Sequence, residues 1–164
     1  MAVKSLIETV TVGAGGAASI EFAAIPQDGS DLVLKFSIRD SAGQQNAIVL
    51  FNGAQTATNL VLFGSGSSVF TYDTADGYDA LYIPMPRNTT TANTFGNASV
   101  YVSNYTTTSS KSISSDAVTE NNSTEAYQQI ASSLYGPTSP ITSIKINSAV
   151  AQYSTASLYK IKYD

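Results

Sequence analysis

Histidine, cysteine and tryptophan are all missing from this chain of 164 residues. Without His or Cys, the usual Ser- and Cys-based triads cannot be assembled and structural zinc has no ligands. Without Cys there is no disulfide. A chain this long buries roughly two thirds of its unfolded surface and needs no such staple. Without Trp, the best aromatic platform for stacking a sugar is gone. Charge is scarce too: 8 Lys+Arg and 12 Asp+Glu give a net charge of -4, and charged residues make up 12% of the chain. That is about half the usual ~25%. With no basic cluster to neutralise phosphates, nucleic acid is excluded as a partner. No segment approaches the ~20 consecutive apolar residues of a spanning helix, so no membrane partner is expected. Met1 to Glu8 has one Lys, an acid at position 8 and too short an apolar run for a signal peptide. The expectation is synthesis in a cytoplasm without export by that route.

What remains is a strand-rich, neutral polar chain. Ser and Thr are about a quarter of it and lie between short β-branched and aromatic runs. The clearest strand is Asp31 to Arg39. There Leu32, Leu34, Phe36 and Ile38 alternate with Val33, Lys35 and Ser37. Leu6, Val10 and Val12 mark a first strand interrupted by Glu8. Gly13-Ala14-Gly15-Gly16 turns the chain before Ser19 to Phe22. Ala47 to Phe51 ends at Asn52-Gly53, a strong hairpin dipeptide. Asn59 to Phe63, Val69 to Tyr72 and Ala80 to Met85 follow, with Pro84 and Pro86 marking the last as an edge. Ala98 to Val102, Lys111 to Val118, Ile141 to Ile146 and Ala156 to Tyr163 complete the set. Glu125 to Tyr135 reads as a strand between turn signals, with a short helix as the alternative. Some ten short strands at regular spacing predict an all-β fold. Residues 1–164 form one domain, a jelly-roll-like antiparallel β-sandwich.

Candidate sites are few. The Gly13 to Gly16 run lacks the helix that a pyrophosphate loop requires, and reads as a hairpin turn. Asp73, Asp76 and Asp79 supply carboxylates for a weak Ca²⁺ site, but their spacing does not match an EF-hand and suits a solvated turn better. Glu8 and Glu21 lie on what read as neighbouring strands, where a glycosidase pair is conceivable, though each also reads as an outward strand position. The Asn88-Thr89-Thr90 and Asn122-Ser123-Thr124 sequons are expected by chance in so Ser/Thr-rich a chain. No catalytic residue and no cofactor is expected. Tyrosine is abundant, with 10 residues, and Tyr101, Tyr105, Tyr127, Tyr135, Tyr153, Tyr159 and Tyr163 fall in the second half. It suits interfaces, and it equally suits cross-strand pairing within a sheet. The interface candidates are Leu6, Ile7, Tyr101, Tyr105, Tyr127, Tyr135 and Tyr153.

Ser5 to Gly13, Ile20-Glu21-Phe22, Ile25-Pro26 and Asp31 to Leu34 open the chain. Phe51-Asn52-Gly53, Thr94 to Asn97, Asn104-Tyr105-Thr106 and Lys111 to Ser114 follow. Glu120-Asn121-Asn122, Ile141 to Ile144 and Ser157 to Lys162 close it. Taken together these segments resemble a family of small virion proteins of tailed phages, common in cyanophages and other aquatic phages. The shared motifs are structural punctuation and carry no catalytic residue. The resemblance implies a capsid decoration (cement) protein on the virion surface, a homotrimer whose partner is the major capsid protein. The alternative is a tail or fibre component whose loops, Asn88 to Thr94 and Asn104 to Ser110, bind a host receptor or surface glycan. Entry into the first strand by about residue 5 favours decoration. Met1 to Lys4 is either an arm exchanged between subunits or a frayed end.

Overall fold

A computed structural model describes residues 1–64, 68–73, 80–120 and 126–163. Its strands are β1 (Ala2–Thr11), β2 (Ile20–Phe22), β3 (Asp31–Ile38), β4 (Asn46–Phe51), β5 (Ala57–Gly64) and β6 (Val69–Tyr72). They continue as β7 (Leu81–Pro84), β8 (Gly96–Val102), β9 (Lys111–Glu120), β10 (Ala126–Tyr135), β11 (Ile144–Asn147) and β12 (Thr155–Tyr163). The strands form two antiparallel sheets. One has eight strands in the order β1-β12-β3-β8-β9-β10-β5-β6, and the other has four in the order β2-β11-β4-β7. Most connections carry the chain from one sheet to the other. Only β5-β6 and the β8-β9-β10 meander join ladder neighbours along the sequence.

The core lies between the sheets, and strand alternation explains it. Leu32, Leu34, Phe36 and Ile38 of β3 point inward, as do Val100 and Val102 of β8 and Leu158 of β12. They meet Phe22, Val49, Phe51, Leu81, Ile83, Ile144 and Ile146 of the smaller sheet, all buried. Phe51 packs its ring against Tyr135 of β10, with centroids 5.9 Å apart. Tyr105, buried just after β8, donates its hydroxyl to the Pro26 carbonyl and accepts from the Gly29 amide at 3.2 Å. That ties the loop before β3 to the loop after β8.

Several sequence expectations change in three dimensions. Asn52 and Gly53 do form a tight turn with positive φ (49° and 76°), bridged by Phe51 and Ala54. They do not close a hairpin, because β4 and β5 belong to different sheets. The Asn52 side chain instead clamps the segment before β11, accepting from the Thr142 and Ser143 amides at 2.8 and 3.1 Å and donating to Pro140. Gly13 to Gly16 likewise turns the chain, closed by a Gly16 N–H to Gly13 carbonyl bond, but it delivers β2 to the other sheet. Glu8 and Glu21 therefore sit on strands of separate sheets, paired with Leu158 and Lys145, and are not ladder neighbours. Residues 126–135 hold a strand and no helix, and β7 with its Pro84 is an edge strand. Residues 2–4 pair with Tyr163, Lys162 and Ile161 of β12, so they extend the chain's own sheet.

Lys111 occupies an inward position of β9 and is fully buried. Its ammonium donates to the Thr107 and Ser139 carbonyls at 2.9 and 2.5 Å and lies 5.9 Å from the Tyr135 ring centroid. Burial pushes its pKa below the ordinary lysine value. Two loops are held by this one cation. In the apolar layer, Leu34 is the test of packing. Leu34→Ala is expected to lower the unfolding free energy by about 2–5 kcal/mol in denaturant titration. A loss under about 1 kcal/mol would mean that the two sheets do not pack through β3.

Candidate functional site

A four-stranded sheet covers only part of an eight-stranded one. The edge strand β7 lies over β9 and β10, and Gln129 of β10 donates to the Tyr82 carbonyl at 2.5 Å. Beyond that edge the inner face of the larger sheet runs on through β5 and β6. There Phe63 and Tyr127 stack with centroids 5.1 Å apart and planes inclined 21°. Phe70 and Tyr72 stack farther out, at 6.4 Å. The overhang and the edge border a half-open cleft of about 480 Å³. Phe63 and Tyr127 line one side of it, and Pro84 and Met85 of the β7 segment line another. Gln45 and Asn46 enter from the start of β4, Arg87, Thr89 and Thr90 from the loop after β7, and Thr119 and Glu120 from the end of β9.

Each polar wall is held by a buried ionic group. Arg39, 7% exposed at the end of β3, turns its guanidinium into the 87–94 loop. It donates to the carbonyls of Thr91 (2.6 Å), Thr90 (3.0 Å), Asn88 (3.2 Å) and Thr94 (3.2 Å), and to Thr94 Oγ1 (3.3 Å). An arginine presents five N–H donors in a fixed fork, which suits a loop whose carbonyls converge. Thr94 Oγ1 is also 2.6 Å from Glu120 Oε1, and Thr91 Oγ1 donates to Oε2 at 3.3 Å. The Glu120 carboxylate is thus fixed against the same loop. On the other side, Asp40 Oδ2 accepts the amides of Ala42, Gly43 and Gln44 and shapes the turn that delivers Gln45 and Asn46. Gly96 lets the floor approach. A Cβ there would meet Pro86 Cδ at 2.9 Å and the Val118 carbonyl at 3.2 Å.

The outer face of the larger sheet is a second surface. Register places Leu6, Tyr159, Val33 and Tyr101 side by side across β1, β12, β3 and β8, and the row continues through Ser114 and Ser132. Lys4 Nζ lies 4.2 Å from the centroid of the Tyr159 ring. At the far end, Leu62, Val69, Ile130 and Leu134 are exposed apolar groups of β5, β6 and β10. Between these ends the face is mainly Ser, Thr and Asn, including Ser99, Asn97 and Ser157. Asp31 is buried at the row's edge, accepting from the Tyr101 hydroxyl and from the Asn104 amide at 2.8 Å.

The interface candidates are thereby scattered. Leu6 (55% exposed) and Tyr101 share the outer row, and Tyr153 (68% exposed) projects from the turn before β12 with φ of 70°. Ile7 sits in the β1 bulge and packs on the core, and Tyr127 lines the cleft. Tyr105 and Tyr135 are 0% and 2% exposed and have no surface for a partner, because each fills the core at a loop junction. The sequence pattern does not single out Arg39, Glu120 or Arg87. Arg39 ends an apolar strand at a position whose alternation suggests an outward residue, and no local pattern marks a cation that turns into a loop fifty residues on. Asp73 is exposed after β6, while Asp76 and Asp79 lie outside the described residues. Among the described residues, no three His, Cys, Asp or Glu side chains come together as a metal site.

Two outcomes follow from this geometry. Arg39→Met should free the 87–94 loop, speeding tryptic cleavage after Arg87 at least tenfold and costing about 3 kcal/mol of stability. Unchanged cleavage would mean that Glu120 and its threonines hold the loop alone. Burial and the Asp31 carboxylate push the Tyr101 hydroxyl well above its ordinary pKa. The unfolded chain then loses this proton first as pH rises. Stability from Tyr101 is full below about pH 10 and is lost above it. Melting curves between pH 8 and 11.5 should fall less steeply above pH 10 for Tyr101→Phe than for the parent, and parallel curves would refute the assignment.

Compared with known protein families, curated proteins and solved structures, the chain matches none.

Proposed function

We propose that this chain is a virion protein of a tailed phage, a jelly-roll-like module that decorates the capsid surface as a trimer and stabilises the shell by binding the major capsid protein. The observation that carries the reading is the outer face of the larger sheet. It is broad and polar, with exposed Leu6, Leu62, Val69, Ile130 and Leu134 set into it. Apolar groups scattered in a low-charge surface suit docking, where their burial is favourable and few charges must be desolvated. The mechanism is mechanical. Each copy bridges neighbouring shell subunits through a modest interface, and repetition around the shell multiplies the effect. Trimer closure also covers strand edges such as β1 and β6 that would otherwise invite further pairing. The absence of His and Cys and of any clustered metal ligands among the described residues fits a non-catalytic role.

The second reading, a tail component that binds host glycan, is favoured by one observation: the Asn88 to Thr94 loop forms a wall of the cleft and is pinned by Arg39.

Quantitative mass spectrometry of purified virions tests the first reading. Hundreds of copies in a simple ratio to the major capsid protein are expected, and a few copies to a few dozen would transfer the protein to the tail. Leu6→Glu with Ile130→Glu should leave stability within about 0.5 kcal/mol, since both side chains are about half exposed. Occupancy on stripped capsids should fall at least tenfold. Full occupancy by that variant would remove the outer face from the interface.

A further inference from the structure

We infer that the cleft beside β7 is a binding site for a neutral hexopyranose, with the Phe63–Tyr127 pair on the apolar side of the sugar and Arg87 and Glu120 on its hydroxyls. The inference deepens the glycan reading by naming the site and the class of sugar, and it does not require the protein to sit on the tail.

The size is right for one or two sugar units. Small-molecule sites occupy roughly 300–1,000 Å³, and this cleft measures about 480 Å³. Its lining is amphipathic in the same sense as a pyranose, which carries one face of C–H groups and a rim of hydroxyls. Stacked aromatics accept the first, and donors and acceptors the second. Phe63 and Tyr127 supply the aromatic side without tryptophan. Arg87 supplies donors. Its guanidinium has no protein partner among the described residues, whereas both terminal nitrogens of the neighbouring Arg39 are engaged. Glu120 supplies acceptors, and the Gln45 and Asn46 amides can do either.

Charge selects a neutral ligand. Among the described residues the lining holds one guanidinium and one carboxylate, so their formal charges cancel, and an acidic sugar would meet the fixed Glu120 oxygens. A hydroxyl, which donates and accepts, satisfies both groups at once. A peptide strand is the poorer occupant. Pro84 and Pro86 remove two backbone donors from the β7 edge along which it would have to pair. The walls are also held before any ligand arrives. Arg39 fixes the 87–94 loop, and Thr91 and Thr94 fix Glu120, which reduces the ordering cost of binding.

The test is titration of the ¹⁵N-labelled full chain with methyl α-glucopyranoside, methyl α-mannopyranoside, methyl β-galactopyranoside and glucuronate, each to about 100 mM. Millimolar binding of at least one neutral glycoside is expected, with amide shifts concentrated in residues 87–94 and 119–120. Arg87→Ala and Tyr127→Ala should each weaken it about tenfold or more. Lys35→Ala, on the outer face, should not change it. Arg87 is the safer probe should Tyr127→Ala fold poorly. No shift with any neutral glycoside overturns the inference, as does tighter binding of glucuronate. Shifts that map elsewhere, or that survive Arg87→Ala, also overturn the cleft assignment but leave glycan binding standing. Retention on whole host cells with and without Arg87→Ala separates the two again, because binding that ignores the substitution keeps the glycan reading and rejects this site.

Discussion

Two sheets of unequal width cannot cover one another. The smaller sheet has four strands and the larger has eight, so part of the larger sheet's inner face has no partner layer. A sandwich stabilises itself by burying the facing sides of both sheets. Where β2, β11, β4 and β7 lie opposite, that happens, and Leu32, Val49, Phe51, Leu81, Ile83, Val100 and Ile144 are all buried there. Past β7 the inner face changes character. Phe63 and Tyr127 stack on each other instead of on an opposing sheet. The cleft, its aromatic side and its proline-bearing edge are consequences of that one mismatch.

The chain has few charges, and several of them work inside the protein. Arg39 and Lys111 are two of the 8 Lys and Arg, and both are buried with their donors spent on loop carbonyls. Asp40 and Asp31 do the converse, accepting backbone amides. A buried charge is tolerated when its hydrogen-bonding capacity is met, and convergent carbonyls or amides meet most of it here, leaving only Asp40 Oδ1 of these groups without a partner. These four residues stand in for the regular ladder bonds that the long connections lack. They also explain how a Ser- and Thr-rich chain with no disulfide keeps its loops in fixed positions.

The outer sheet face and the cleft ask different things of a partner. The face is wide and low in charge, with apolar groups spaced across it, which suits a protein surface repeated many times. The cleft is small and half-open, with one cation and one anion among its described residues near an aromatic pair, which suits a small polar ligand. The proposed role as a virion surface module would use both properties, on the side that grips a shell and the side that meets the environment.

Alternation in the sequence determined the strands, because a side chain's face in a ladder depends only on its position modulo two. Leu32, Leu34, Phe36 and Ile38 were legible for that reason, and so was the strand at 126–135, which lies between turn signals in the sequence. The missing residue types determined what chemistry is impossible. Local pattern could not say which strands would be neighbours. Asn52-Gly53 forms the turn its residues favour, yet the strands it joins enter different sheets, because pairing is settled by residues far along the chain. The buried tyrosines looked like surface ones, since Tyr is equally at home in either place. The grip of Arg39 on a loop some fifty residues away, the approach of Glu120 to that loop and the stacking of Phe63 on Tyr127 exist only once the two sheets have closed. The site is built from contacts distant in sequence, and tertiary structure alone brings them within hydrogen-bond range.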